Sequence, residues 1–389
     1  MSKESWVARA IAWAEAGRLP DRVVRWGIRR LCRARLRREA SSGCEAQQES
    51  LRQLLIDGRD GPLAPVPELA NAQHYEVPAE LYEAILGPRL KYSCCEWGDD
   101  VSTLAEAEER ALATTARRAE LFDGQTVLEL GCGWGSLSLW MAEHYPRSRI
   151  VAVSNSTDQR RFIERRARER GLANIEVITR DINDFDATAG GTGKWVAEAN
   201  GGFDRVVSVE MFEHVRDHRR LLERISHWLR PGGKLFVHVF CHRHFAYTFE
   251  SDGAASWVAS TFFSGGMMPN DAYFLRFQDH LRVRDQWRWS GSHYRRTAEA
   301  WLANLDHRRA EVRRVMSRTH GDEDADRWVR RWRLFLMSCA ELWGFAGGDE
   351  WWVSHTLFEK PVSHRLDEAT PSDLPAELNH PVEVAGARV

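Results

Sequence analysis

A chain of 389 residues with 43% hydrophobic content can bury a sizeable core, as one large domain with additions or as two modest ones. Its 54 basic and 56 acidic side chains leave a formal net charge of −2, which gives no electrostatic footprint for nucleic acid. The seven cysteines show neither zinc spacing nor a paired framework, no apolar run approaches the roughly 18 residues of a membrane span, and no secretory core opens the sequence; the expectation is a globular cytoplasmic protein with reduced thiols and no metal.

Residues 1–75 read as an N-terminal helical appendage, with one stripe through Trp6, Ala10 and Trp13 and a second helix starting at Pro20-Asp21. Eight arginines between Arg22 and Arg38 surround Val24, Ile28, Leu31 and Leu36 at helical spacing. They suit the solvated face of a surface helix, and the alternative is peripheral contact with an anionic membrane. From Val101 the pattern changes. Thr103 and Glu106 form a capping box that opens a helix to about Phe122. Apolar runs at Thr126–Leu130, Arg149–Val153, Ile175–Thr179, Phe203–Val209 and Lys234–Phe240 then alternate with helices, one running from Ser156–Gln159 to Gly171 and another over Leu221–Leu229. This is the signature of an α/β fold with a Rossmann-like, mostly parallel sheet, placed here over residues 76–240. Residues 188–202 read as a loose loop. An aromatic-rich helical insertion occupies 241–345 and includes a late strand at Leu281–Trp289; Trp351–Phe358 within 346–360 is the final strand, the seventh of the sheet. The proline-bearing tail, 361–389, is expected to be disordered.

Between the first strand and its helix lies Glu129-Leu130-Gly131-Cys132-Gly133-Trp134-Gly135-Ser136. Glycines there let the backbone approach a ligand, and their G-x-G-x-G spacing is not the one that favours a dinucleotide pyrophosphate. Glu129 would repel a pyrophosphate yet can engage an ammonium, while the amides opening the next helix suit a carboxylate. S-adenosylmethionine carries both groups.

This segment resembles motif I of the cyclopropane fatty acid synthase superfamily of class I methyltransferases. Tyr92-Ser93-Cys94-Cys95 is similar to the family's upstream Y-S-C segment, which implies that Tyr92 and Ser93 close over the cofactor. Ser154, Asn155 and Gln159 match its second-strand motif and imply Gln159 at the ribose, although a capping-box role competes for that side chain. Asp181-Ile182-Asn183 follows the third strand, where such proteins hold the adenine.

Glu210-Met211-Phe212-Glu213-His214 falls at the C-terminal end of the fourth strand, the edge on which open α/β sheets bind ligands. Two carboxylates and an imidazole within one short segment suit proton abstraction and cation handling; a helix cap or an interior pair is the structural alternative. The cyclopropane enzymes read G-M-F-E-H here. E-M-F-E-H instead resembles the coclaurine N-methyltransferase-like branch, implying Glu213 and His214 as the catalytic pair, Glu210 as support for the substrate cation, and a small-molecule amine as acceptor. The likeness runs colinearly over about 70–360. The positions that hold bicarbonate in cyclopropane synthases are also filled, by Cys94, Glu213, His238 and Tyr294. The alternative is therefore methylene or methyl transfer to an unsaturated acyl lipid with bicarbonate as base. Between them stands the insertion, whose Phe245, Tyr247, Phe249, Trp257, Phe262, Phe263, Tyr273, Phe274, Phe277, Trp287 and Trp289 suit core packing and a flat heterocycle better than an acyl chain.

Overall fold

The computed structural model describes residues 3–41, 43–59, 61–65, 78–188, 193–198, 202–249, 257–262 and 265–362. The tail from 363, Phe263 and residues 189–192 and 199–201 of the loop expected at 188–202 lie outside the described residues. Within that loop, Lys194–Glu198 forms a short helix where none was expected.

Helices α1 (Lys3–Glu15), α2 (Asp21–Ala40), α3 (Cys44–Asp57) and α4 (Ala79–Ile85) precede α5 (Leu104–Arg118). Both arms of the capping box are present: Thr103 Oγ1 accepts from Glu106 N at 3.2 Å, and Glu106 Oε2 accepts from Thr103 N at 2.9 Å. The helix stops a turn short of the expected Phe122. Glu120, in the left-handed region at φ 53°, redirects the chain toward β1.

The sheet comprises β1 (Thr126–Leu130), β2 (Arg149–Ser154), β3 (Ile175–Thr179), β4 (Phe203–Val209), β5 (Leu229–His242), β8 (Arg282–Trp289) and β9 (Trp351–Glu359). Helices α6 (Ser136–His144), α7 (Thr157–Glu169), α8 (Lys194–Glu198) and α9 (His218–Trp228) connect the first five strands, and a small pair, β6 (Tyr247–Thr248) with β7 (Met267–Met268), lies apart. Strand order is β3-β2-β1-β4-β5-β9-β8, parallel through β5. Strand β9 runs antiparallel to both of its neighbours, so a Rossmann-like sheet of seven mostly parallel strands is the observed architecture. Strand β5 is longer than its apolar run, because Leu229 already pairs with Phe203 before an irregularity in the ladder. Covered on both faces, β1 and β4 are buried nearly throughout, polar Glu129, Asp204, Arg205 and Ser208 included.

After residue 249, α10 (Trp257–Phe262) precedes β8, and three helices follow it: α11 (Gly291–His307), α12 (Arg309–His320) and α13 (Asp322–Trp343). The long α13 packs on α11, α12 and α2. Cys32 of α2 belongs to the same apolar cluster as Phe240, Tyr294 and Trp343, so the first helices help to enclose the insertion. This changes part of the reading of the arginine run. Arg25 reaches Glu299 at 2.5 Å and Glu341 at 3.0 Å, Arg29 reaches Glu341 at 2.7 Å, and the Arg35 guanidinium lies 4.9 Å over the Tyr247 ring. These three side chains fasten α2 to the rest of the protein, while Arg22, Arg30, Arg33, Arg37 and Arg38 are exposed, as expected of the solvated face of a surface helix. Glu15 is held similarly by Arg327, Arg331 and Trp257. Among the described residues, no helix is long and apolar enough to cross a membrane.

Candidate active site

All three glycines of the loop after β1 have positive φ: 77° at Gly131, 52° at Gly133 and 80° at Gly135. A side chain at Gly131 would meet Met211 at 2.7 Å, whereas the space over Gly133 is open. Below the loop, the buried Glu129 carboxyl accepts a hydrogen bond from Ser138 on α6, and burial pushes its pKa up to about 8. A carboxyl in that state gains by receiving a cation.

At the end of β2, Ser154 Oγ donates to Gln159 Oε1 at 2.6 Å, and Ser156 Oγ caps α7 by accepting from Gln159 N at 3.3 Å. The Gln159 side chain thus clasps Ser154 instead of completing a capping box. Its Nε2 is buried with no hydrogen-bond partner among the described residues, as is Ser136 Oγ. Orphaned donors, an open glycine cradle and a neutral acid waiting for a cation fit a ligand with hydroxyl, carboxylate and ammonium groups. S-adenosylmethionine is such a ligand. Asn155 lies half-buried beside this clasp. Beyond β3, Asp181 Oδ1 accepts from Asn183 N at 2.7 Å and Ile182 is half-buried between them. The Asn183 side chain is occupied elsewhere: its amide clasps the backbone of Ala64 in both directions, at 3.0 and 3.1 Å. It pins the segment before α4, leaving only its backbone for a base.

Glu210, immediately after β4, has φ 50°, a region that a residue with a Cβ rarely enters. Its Oε1 accepts from Cys94 N at 3.0 Å and from His238 Nε2 at 3.1 Å, and its Oε2 accepts from the Tyr294 hydroxyl at 2.6 Å. Three positions predicted to surround a bicarbonate therefore surround the carboxylate of a fourth residue. Buried Glu213 accepts from Phe240 N at 3.1 Å through Oε1, and its Oε2 has no partner among the described residues. Burial first, and then the Glu210 charge, push the Glu213 pKa well above the carboxylate range. Burial raises Glu210 as well, while Lys91, Cys94 N and Tyr294 oppose the rise. His214 is lowered by burial to about 4 and is neutral at physiological pH.

Tyr92 packs edge-on to Tyr82 at 5.0 Å and faces Trp301 at 5.5 Å. Ser93 Oγ accepts from Lys91 Nζ at 2.5 Å, and the same ammonium reaches Cys94 O at 2.7 Å. Sequence reasoning missed Lys91: a lysine flanking a motif gives no sign that it is 3% exposed. It also missed His355, whose Nε2 lies 2.9 Å from His238 Nδ1. The insertion's aromatics divide. Tyr247, Phe249, Trp257 and Phe262 join the cluster of Phe240 and Tyr294, whereas Tyr273, Phe274 and Phe277 pack around Phe212 and His218 as ordinary core. Beside Glu210, the Tyr294 ring stacks on Trp343 at 4.7 Å, with Phe240 5.4 Å from the same indole. These rings form an aromatic wall next to the carboxylates.

Residues 67–347 match the family model of mycolic acid cyclopropane synthetase. The chain is 35% identical over 366 residues to (S)-coclaurine N-methyltransferase of Thalictrum flavum subsp. glaucum, covering 92% of this chain and 97% of that protein. It is 26% identical over 275 residues to cyclopropane-fatty-acyl-phospholipid synthase of Escherichia coli, covering 70% of this chain and 63% of that one. Among solved structures, coclaurine N-methyltransferase bound to N-methylheliamine and S-adenosylhomocysteine superposes with a TM-score of 0.82 at 32% identity, covering 92% of this chain and all of that one. The chain therefore belongs to the mycolic acid cyclopropane synthetase family and is an S-adenosylmethionine-dependent methyltransferase.

Proposed function

We propose that this enzyme transfers the methyl group to the nitrogen of a small amine, with Glu210, Glu213 and His214 at the acceptor and Cys94, His238 and Tyr294 holding Glu210. The observation that carries this reading is the Glu210 carboxylate seated among three of the groups that, in the cyclopropane synthases, would surround bicarbonate. The chain supplies its own anion there, and it occupies the donors of Cys94 N, His238 and Tyr294. Residues 76–240 carry the cofactor, through Tyr92, Ser93, Glu129, Gly131, Gly133, Gly135, Ser154, Asn155, Gln159, Asp181, Ile182 and the backbone of Asn183. The segment 241–345 covers the acceptor.

When bound, S-adenosylmethionine supplies an electrophilic methyl on a sulfonium; the chain's task is to present an acceptor with a free lone pair. An amine arrives protonated at neutral pH, and the Glu210 charge attracts it. Its own charge then lowers the pKa of Glu213, whose proton passes to bulk water, and the Glu213 carboxylate so formed takes the proton of the ammonium, leaving a free amine beside a neutral Glu213. Neutral His214 orients the nitrogen without competing as a cation, and the Tyr294–Trp343 stack covers the charge that forms there.

The test is methyl transfer from labelled cofactor to heliamine and simple tetrahydroisoquinolines in carbonate-free buffer, beside a vesicle of unsaturated phospholipid. An N-methyl product that does not depend on added bicarbonate is expected. Cyclopropanated lipid with no amine product would overturn the reading.

A further inference from the structure

His238 and His355 are cross-strand partners on β5 and β9, and beyond His355 stands Arg118 at the end of α5. Arg118 Nη1 lies 2.6 Å from His355 Nδ1, His355 Nε2 lies 2.9 Å from His238 Nδ1, and His238 Nε2 lies 3.1 Å from Glu210 Oε1. A guanidinium has only donors. His355 Nδ1 must therefore accept, which places the His355 proton on Nε2. That proton can point only at His238 Nδ1, so the His238 proton is on Nε2 and points at Glu210. A cationic form of either ring would set two N–H groups against each other or an N–H against the guanidinium. The chain has one allowed direction.

We propose that Arg118 and His355 are positioning residues whose hydrogen-bond relay fixes the His238 tautomer and thereby sets the orientation and charge of the Glu210 carboxylate. Nothing in the relay carries protons away; it holds a donor on Glu210 at all times. Its geometry is braced by Trp289, edge-on to His355 at 4.4 Å and to His238 at 5.6 Å, and Arg118 is itself held over the Trp287 and Trp289 rings at 5.3 and 5.5 Å. Burial holds both histidines well below their ordinary pKa, in keeping with neutral rings. The charged and titratable groups facing the relay are Lys91 at the histidines and Glu96, Arg117, Asp285 and His293 at Arg118, and those facing Glu210 are Lys91, Cys94, Cys95, Glu213, His214, His238, Tyr294 and Cys339. The consequence for catalysis rests on the amine reading above, whereas the relay itself does not.

Two arms test it on the full chain. Nitrogen NMR of isotope-labelled histidines, assigned with single variants, is expected to show both rings neutral and protonated on Nε2 between about pH 6 and 8 in the free enzyme. A Nδ1-protonated or cationic ring overturns the relay, whatever the enzyme methylates. In the second arm, His355→Phe fills the space but breaks the chain. Turnover of heliamine should fall by about tenfold, with KM changed less than about twofold, because a hydrogen bond to an ionised group is lost. The acid limb of the pH profile should move up by about one unit, since Glu210 with one donor fewer ionises later. His355→Gln can accept from Arg118 and donate to His238, and should restore both rate and profile. If His355→Gln is as impaired as His355→Phe, or if the acid limb stays put, His355 only fills space and the proposal fails.

Discussion

Replacing Glu210 with glycine would give this chain the residue that cyclopropane synthases carry, and the structure says what should follow. At φ 50° the native side chain costs about 1–2 kcal/mol of backbone strain, which glycine removes. Against this, Cys94 N, His238 and Tyr294 lose their acceptor, at about 1–3 kcal/mol for each donor that water does not satisfy. The fold should tolerate the exchange, because the volume the side chain vacates admits water to these donors and the relieved strain offsets part of what remains. Activity should not, because the ammonium loses a buried counter-charge worth about 2–5 kcal/mol, or roughly 30- to 5000-fold in kcat/KM. The vacated volume keeps its donors, so bicarbonate or formate should fit it and restore part of the rate. The assay is initial-rate methylation of heliamine in carbonate-free buffer, with each anion titrated in. A Glu210→Gly enzyme running at the native rate, or a folded slow one that responds to no small anion, would refute the argument.

Glu129 and Gly133 give two further expectations. The folded pKa of Glu129, about 8, lies above its unfolded value, so the stability it contributes is complete below the ordinary carboxylate range and is lost as pH rises through about 8. The Tm of the cofactor-free enzyme should decline over that window and Glu129→Gln should flatten the decline, while calorimetric affinity for S-adenosylmethionine rises with pH as the carboxylate becomes available; a flat affinity profile would count against the ammonium contact. For Gly133→Ala, the positive φ costs about 1 kcal/mol of stability, and a methyl enters the open space over the loop. Its Kd for the cofactor should rise by about tenfold or more with the fold intact, and an unchanged Kd would mean the cradle lies elsewhere.

The strands were legible from their β-branched and apolar residues, and Ile175–Thr179 and Phe203–Val209 have the bounds expected of them although Glu176, Asp204, Arg205 and Ser208 interrupt the apolar run. The α5 capping box was legible because both partners lie within one turn. Glu210, Glu213 and His214 could be singled out for the same reason: they are neighbours in sequence. What was not legible was contact made at long range. Lys91, His355 and Arg118 reach the site through separate elements, and the pairing of His238 with His355 depends on a register that neither strand's composition reveals. The arginine run was legible in part, since five of its eight arginines are exposed as expected and three are not. Its spacing locates a helix, but which face turns inward is decided by Glu299 and Glu341, far along the chain.

Strand β9 lies between β5 and β8 although it follows both in the chain, and β8 has no other neighbour in the sheet. During synthesis, a partial chain ending before residue 351 can assemble the five parallel strands and the glycine loop, yet β8 waits without a place to pair. His355 arrives with that late strand, so the surroundings of Glu210 are completed only when the sheet closes. The glycine loop thus depends only on strands that precede β9, whereas the relay behind Glu210 needs the last strand of the chain.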